Sequence, residues 1–167
     1  MPFLNHMHLY FRGEKAESGA LLLVTLALLL AGLVLAFWVR QPFTRGLGAV
    51  LVGAALIGGV VGATVYLRTD RQVAQLTSLY ESDRGEFARA EGARIDTVVA
   101  SFRLYRIMYT LAGVAALIVI SLAKNPALHG VAVGLFLFAA MGFTIDHYAE
   151  ERARWYAGKV HAQAAPK

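Results

Sequence analysis

The stretch that decides the fold is GALLLVTLALLLAGLVLAFWV, residues 19–39. It holds 21 residues without a charge, which matches the roughly 20 apolar residues that a helix needs to cross a bilayer core. It is longer than the roughly 7–15-residue apolar region of a signal peptide, and 18 mostly polar residues precede it. We therefore expect a retained transmembrane helix and not a cleaved leader.

Three further apolar runs follow, at residues 46–67, 107–123 and 127–145. Hydrophobic residues make up 57% of the 167-residue chain, whereas about 45–50% is usual in a soluble domain. The sequence predicts an all-α membrane protein, a single integral domain over 1–167 with four transmembrane helices arranged as two hairpins. The chain has no cysteine, so disulfides, zinc–thiolate sites and cysteine nucleophiles are excluded.

Charge is distributed very unevenly between the two sides of the predicted membrane. All 11 acidic residues and 13 of the 16 lysines and arginines fall on the side that holds both termini, and only Arg40, Arg45 and Lys124 fall on the other. By the positive-inside rule both termini are cytoplasmic. Because the basic residues flank apolar runs and form no soluble basic face, nucleic acid is not expected as a partner.

The segment 68–106, between the second and third spans, is rich in helix-forming residues and has no proline. Its apolar residues recur at helical spacing, which predicts two amphipathic helices on the cytoplasmic side, over about 70–83 and 86–105. Gly85 and Gly92 are the expected breaks. The segment either lies at the headgroup surface or extends the spans as a cytoplasmic helical hairpin. The alternative is that it offers a docking surface to a partner.

Small residues in the second span indicate a face for close helix packing. Ala54, Gly58 and Gly62 are four residues apart, and Gly59 belongs to a second such row. Small residues at this spacing let helix backbones approach closely in lipid. The pattern leaves open whether the partner helix belongs to the same chain or to a second copy.

Four arginines border the spans on the cytoplasmic side and are candidates for binding lipid phosphates or a partner. They are Arg68, Arg71, Arg103 and Arg106. No charged residue or histidine lies deep in any span, which argues against an ion-coupled carrier, since such carriers normally need ionisable groups within the membrane.

The stretch FTIDHYAEERARWY, residues 143–156, places an acidic and histidine-containing cluster where the fourth span ends. Imidazole and carboxylate groups suit zinc or a similar divalent metal, provided that the N-terminal histidines fold against this end. The candidate ligands are His6, His8, Asp146, His147 and Glu150. The alternative is interfacial salt bridging, because Glu and Arg four residues apart are ordinary helix support. No nucleotide-binding or hydrolase motif is present.

Three short motifs give the chain a resemblance to a group of small bacterial four-span membrane proteins. They are HMHLYFRGEKAES (6–18), VYLRTDRQV (65–73) and FRLYR (102–106). That group shares a His-x-His-x-Tyr opening followed by Gly-Glu, and a Tyr-x-Arg-Thr motif after the second span. The resemblance implies a fold and a location in a bacterial inner membrane, but no activity.

These observations favour a non-enzymatic membrane protein that works by helix packing and by contact of its cytoplasmic side with a protein partner or anionic lipid. A scaffold, accessory or immunity-type protein would fit that description. Membrane lipids and either a second copy or another membrane protein are the expected partners. The alternatives are a homo-oligomeric channel or passive transporter, and a membrane enzyme with a divalent metal at the cytoplasmic interface. No cofactor is predicted beyond that metal.

Overall fold

The computed structural model of the chain describes residues 2–164, which fold into four long helices. Helix α1 is Pro2–Leu33 and continues as a π-helical end, Val34–Val39; the others are α2 (Pro42–Ser82), α3 (Arg84–Leu122) and α4 (Pro126–Ala164). The described residues contain no strand. Each helix is long and apolar enough to cross a membrane. The predicted all-α class is confirmed, and the four predicted spans correspond to four helices with the length and composition that a membrane span requires.

The helix boundaries follow from local sequence chemistry. Pro42 and Pro126 begin α2 and α4, at a position where the missing N–H costs nothing and the fixed φ suits a helix. Asp83 separates α2 from α3, and its carboxylate accepts the N–H groups of Gly85 (2.8 Å) and Glu86 (2.9 Å). These hydrogen bonds, from Glu86 and Gly85, lower the pKa of Asp83.

The segment 68–106 extends the second and third apolar segments, as one of the predicted arrangements has it, and does not form separate surface helices. Its first part is the end of α2 and its second part is the beginning of α3, and only Asp83 interrupts them. The break expected at Gly92 is wrong, since α3 continues through that residue. Gly92 is buried, and the nearest atoms to a Cβ at that position would belong to His161 of α4. It is thus a packing residue within a continuous helix.

Helices α2 and α4 lie in the middle of the bundle, with α1 packed on α2 and α3 packed on α4. Within the described chain no Cα atoms of α1 and α3 approach within 8 Å, so these two helices meet only through side chains. A cleft lies between their apolar segments. Large apolar side chains cover the outside, as at Leu23, Trp38, Leu67 and Leu122, all more than 70% exposed. In water such a surface would drive aggregation, whereas lipid tails solvate it.

The predicted row of small residues packs within the chain, against α1. A Cβ added to Gly58 would lie 2.7 Å from Cγ2 of Thr25, and one added to Gly62 would lie 3.3 Å from Leu22 and the Ser18 carbonyl. Ala54 is buried. Gly59 has more room, since its nearest neighbour would be Thr25 at 3.9 Å.

The closest helix contacts involve other glycines, at the end of the bundle opposite the termini. A Cβ at Gly130 of α4 would collide with the carbonyl oxygen of Phe43, and one at Gly46 of α2 would collide with that of Ala127. On the other side of α2, Gly48 and Gly32 bring α2 and α1 together in the same way. Backbone therefore meets backbone where α2 crosses α4 and α1.

Replacing Gly130 by alanine should destabilise the bundle by about 1–3 kcal/mol, because helices α2 and α4 must move apart to admit the methyl group. The matched control is Gly53→Ala, where an added Cβ meets nothing within 4 Å. Thermal unfolding in detergent, followed by circular dichroism, measures both. A melting temperature for Gly130→Ala no lower than that of Gly53→Ala would disprove the close crossing.

Candidate functional site at the polar end of the bundle

Beyond the apolar segments all four helices extend into a second, polar region, which we call the polar end. It consists of residues 2–18, 68–106 and 146–164, and it contains both described ends of the chain and the α2–α3 junction. Its centre is an aromatic core. The Phe3 ring lies 5.0 Å from that of Tyr80 and 5.4 Å from that of Phe87, and Tyr10 stacks on Tyr156 at 4.3 Å. All four helices therefore meet in this core.

The sequence carries a signal for this core that a search for long apolar runs does not detect. Phe3, Met7, Tyr10 and Phe11 recur at helical spacing and are all at least 96% buried. Polar residues interrupt this pattern, so residues 1–18 resemble a polar segment that merely precedes the first span. The same periodicity in Ala153, Tyr156 and Val160 supplies the facing surface on α4.

A charged pair is buried beside the aromatic core. The side chain of Glu91 is fully buried, and it accepts hydrogen bonds from Nε (2.6 Å) and Nη2 (2.7 Å) of Arg94. The Arg94 guanidinium also lies over the Phe11 ring, 5.6 Å from its centroid. Burial disfavours the charged guanidinium, but the bonds and charge of Glu91 outweigh this effect, so the pKa of Arg94 is raised. A charge is tolerated inside a protein when it is paired and hydrogen-bonded, and this bidentate pair fulfils both conditions.

Further ion pairs connect α1 to its neighbours. Lys15 donates to Asp70 at 2.5 Å, Arg68 lies 3.6 Å from Glu14, and Arg152 binds Glu17 with both terminal nitrogens. Together these pairs attach the start of the first span to α2 and α4.

Glu14 differs from the other acidic residues in this group because one of its oxygens, Oε2, is buried without a hydrogen-bond partner. Burial raises its pKa, and the charges of Arg68, Arg94 and Arg152 do not cancel that rise. A carboxyl group with a raised pKa binds its proton more tightly in the folded protein, so its contribution to stability is lost as pH rises through that pKa. Glu14 thus favours the folded protein more at acidic than at neutral pH.

Two of the four predicted basic residues form ion pairs with acidic residues of other helices. Arg68 faces Glu14, and Arg106 donates to Glu150 at 2.5 Å. Arg71 and Arg103 are exposed and belong to none of the ion pairs formed by residues 2–164. The predicted basic set therefore divides into two residues that hold the bundle together and two that face outward.

The predicted metal ligands are placed as follows. Asp146, His147 and Glu150 line one small pocket with Arg106, Tyr109 and two phenylalanines. His6 instead packs edge-on against Trp155, with ring centroids 5.5 Å apart. His8 lies in a groove between α1 and α2, beside Lys15 and Asp70. The structure thus separates the two N-terminal histidines from the other three residues.

Glu150 is already occupied by two arginines, since Arg154 binds it at 2.6 Å in addition to Arg106. Burial favours the neutral acid, but the hydrogen bonds from Arg154 and Arg106 outweigh it and lower the pKa of Glu150. Among residues 2–164, no three histidine, aspartate or glutamate side chains come together as a metal site would require. A metal at this end stays a prediction, and the contacts of Glu150 correspond to the salt-bridging alternative.

Asp146, the first residue after the fourth apolar segment, has no such partner. Its Oδ2 atom is buried and lacks a hydrogen bond. Burial, together with the charge of Glu150, raises the pKa of Asp146 to about 6. It forms no ion pair with any basic side chain of residues 2–164.

Comparison with known proteins adds no relative: no protein-family model, no curated protein and no solved structure matches this chain. The resemblance carried by the short motifs stays a prediction.

The buried Glu91–Arg94 pair gives a test of the polar end. Glu91→Ala should lower the free energy of unfolding by about 3 kcal/mol, because it leaves a largely buried guanidinium without its partner. Glu81→Ala is the control, since Glu81 is exposed and has no ion pair in the described chain. Chemical unfolding of both variants in detergent measures the difference, and equal stabilities would show that the polar end does not hold the fold together.

Proposed function

We propose that this chain is a small non-enzymatic integral membrane protein that acts through its polar end, which binds anionic lipid or a protein partner. The observation that carries the proposal is the division of the basic residues. Five arginines of the polar end are exposed and belong to none of the ion pairs of the described chain. They are Arg12, Arg71, Arg84, Arg89 and Arg103.

The position of these arginines suits a membrane surface. Arg71 follows the second apolar segment by four residues, and Arg103 precedes the third by four. Guanidinium groups at this depth bind phosphate oxygens well, because their fixed fork of N–H groups matches two acceptors at once. A partner with an acidic surface offers the same chemistry from the aqueous side.

The side chains within the spans favour this proposal over a channel. Four of the five serine and threonine hydroxyl groups within the spans donate to carbonyl oxygens of their own helices; they belong to Thr25, Thr110, Ser121 and Thr144. They are therefore satisfied without water. The small-residue row supports packing of α1 on α2 within one chain, so assembly with a second copy would use another face.

The expected orientation belongs to the same proposal. With the two packed pairs α1–α2 and α3–α4 inserted as hairpins, the polar end faces the cytoplasm of a bacterial cell, where anionic lipid is abundant.

The chain has no cysteine, so single cysteines introduced at Ser82 and at Gln41 report each side of the membrane separately. A membrane-impermeant maleimide added to whole cells should label Gln41→Cys and not Ser82→Cys. The reverse pattern would overturn the orientation.

The lipid interaction can be measured by titrating phosphatidylglycerol onto the purified protein in native mass spectrometry. An arginine near an anionic surface contributes about 1 kcal/mol, so the double variant Arg71→Ala/Arg103→Ala should bind this lipid about 30-fold more weakly. Arg40→Ala/Arg45→Ala removes the same charge from the opposite end and should change binding little. If both double variants bind phosphatidylglycerol equally well, the polar end is not the lipid-binding surface.

A further inference from the structure

The cleft between α1 and α3 is a separate feature that the proposed function does not use. Its cavity volume is about 120 Å³. Apolar side chains from three helices line it, among them Leu21, Ile57, Val61, Phe138 and Met141. Ile57 and Val61 are 60% and 51% exposed, so the space is open to the side. Because these residues lie in the apolar segments, that opening faces the hydrocarbon of the membrane.

One end of the cleft is acidic. Asp146 and Tyr109 line both the cleft and the small pocket that continues it toward the polar end. Oδ2 of Asp146 is buried and has no hydrogen-bond partner. An apolar space in lipid therefore ends at a carboxylate oxygen without a donor, which is a costly arrangement unless a ligand supplies one.

The neighbouring charges indicate the sign of that ligand. Arg106 is the basic residue of the small pocket, and it is engaged by Glu150 at 2.5 Å. Arg154 binds the same carboxylate at 2.6 Å. Both guanidinium groups thus already have an anion, whereas Asp146 has no cation.

Two aromatic rings line the cleft together with Asp146. Tyr109 and Phe138 meet edge to face with centroids 6.1 Å apart, and both line the cleft. Aromatic faces attract organic cations, and the attraction grows when the site is shielded from water. The acid, the rings and the apolar walls therefore favour the same kind of molecule.

We propose that the α1–α3 cleft binds an amphipathic organic cation that enters from the membrane, with its apolar part against Leu21, Ile57 and Phe138 and its positive charge at Asp146. This site is independent of the proposed function, which rests on the exposed arginines. A phospholipid with its phosphate at Arg106 is the competing occupant.

The test uses dodecylammonium and dodecyl sulfate, two ions with the same alkyl chain and opposite charge, of which only the cation carries N–H donors for Asp146. Equilibrium dialysis against protein in nanodiscs, corrected with empty nanodiscs, gives the binding due to the protein. The cation should bind saturably at one per chain, and the anion should show no saturable binding. Asp146→Asn should weaken cation binding at least tenfold, whereas Asp96→Asn, at an exposed acid elsewhere on the bundle, should not.

A pair of neighbouring substitutions tests the location. Val61→Trp would fill the cleft, while Val60→Trp places the same ring in the groove on the other side of the α1–α2 pair. Only Val61→Trp should abolish binding, with circular dichroism confirming that all variants are helical. Cation binding that survives both Asp146→Asn and Val61→Trp would overturn the proposal. Preferential binding of the anion would overturn the proposal in favour of the phospholipid. The effect of Arg71→Ala/Arg103→Ala on phosphatidylglycerol binding is measured separately and would not change.

Discussion

The constraint on which this structure depends is that lipid does not drive apolar helices together. A leucine on the outside of the bundle is as well solvated by acyl chains as by another helix, so the spans must associate through close backbone packing or through polar contacts. The chain uses both, at opposite ends. At one end Gly46 and Gly130 bring α2 against α4. At the other end the helices leave the apolar zone and form a core of the kind found in soluble proteins.

That second core explains why the helices are much longer than a bilayer requires. Each has between 32 and 41 residues, whereas about 20 suffice to span the hydrocarbon. The additional turns bury Phe3, Phe87 and Tyr156 in a core that the hydrophobic effect stabilises. The Glu91–Arg94 pair and the ion pairs of α1 surround this core, so most charged residues near the interface serve the fold. Five of the ten arginines of the polar end lie outside these pairs, and we propose that they bind the lipid or the partner.

The sequence predicted the parts of the molecule that composition and periodicity determine. Continuous apolar runs identified the four helices that are apolar enough to span a membrane. The sequence also placed Arg71, Arg103, Asp146 and Glu150 at the interface. It did not predict which charges would pair, because the partners of Arg106 and Arg68 lie 44 and 54 residues away in the chain. It also did not distinguish the glycines at close crossings from those with free space, since Gly130 and Gly53 look alike until the neighbouring helix is in place.

Residues 2–18 are, on this view, an ordered part of the polar core and not a tail before the first span. Hydrogen–deuterium exchange of the protein in nanodiscs tests this directly. The backbone amides between Phe3 and Glu14 should exchange as slowly as those of α3 around Glu91, because both belong to the same packed unit. Exchange of residues 3–14 at the rate of an unstructured chain, with α3 still protected, would contradict a core shared by all four helices.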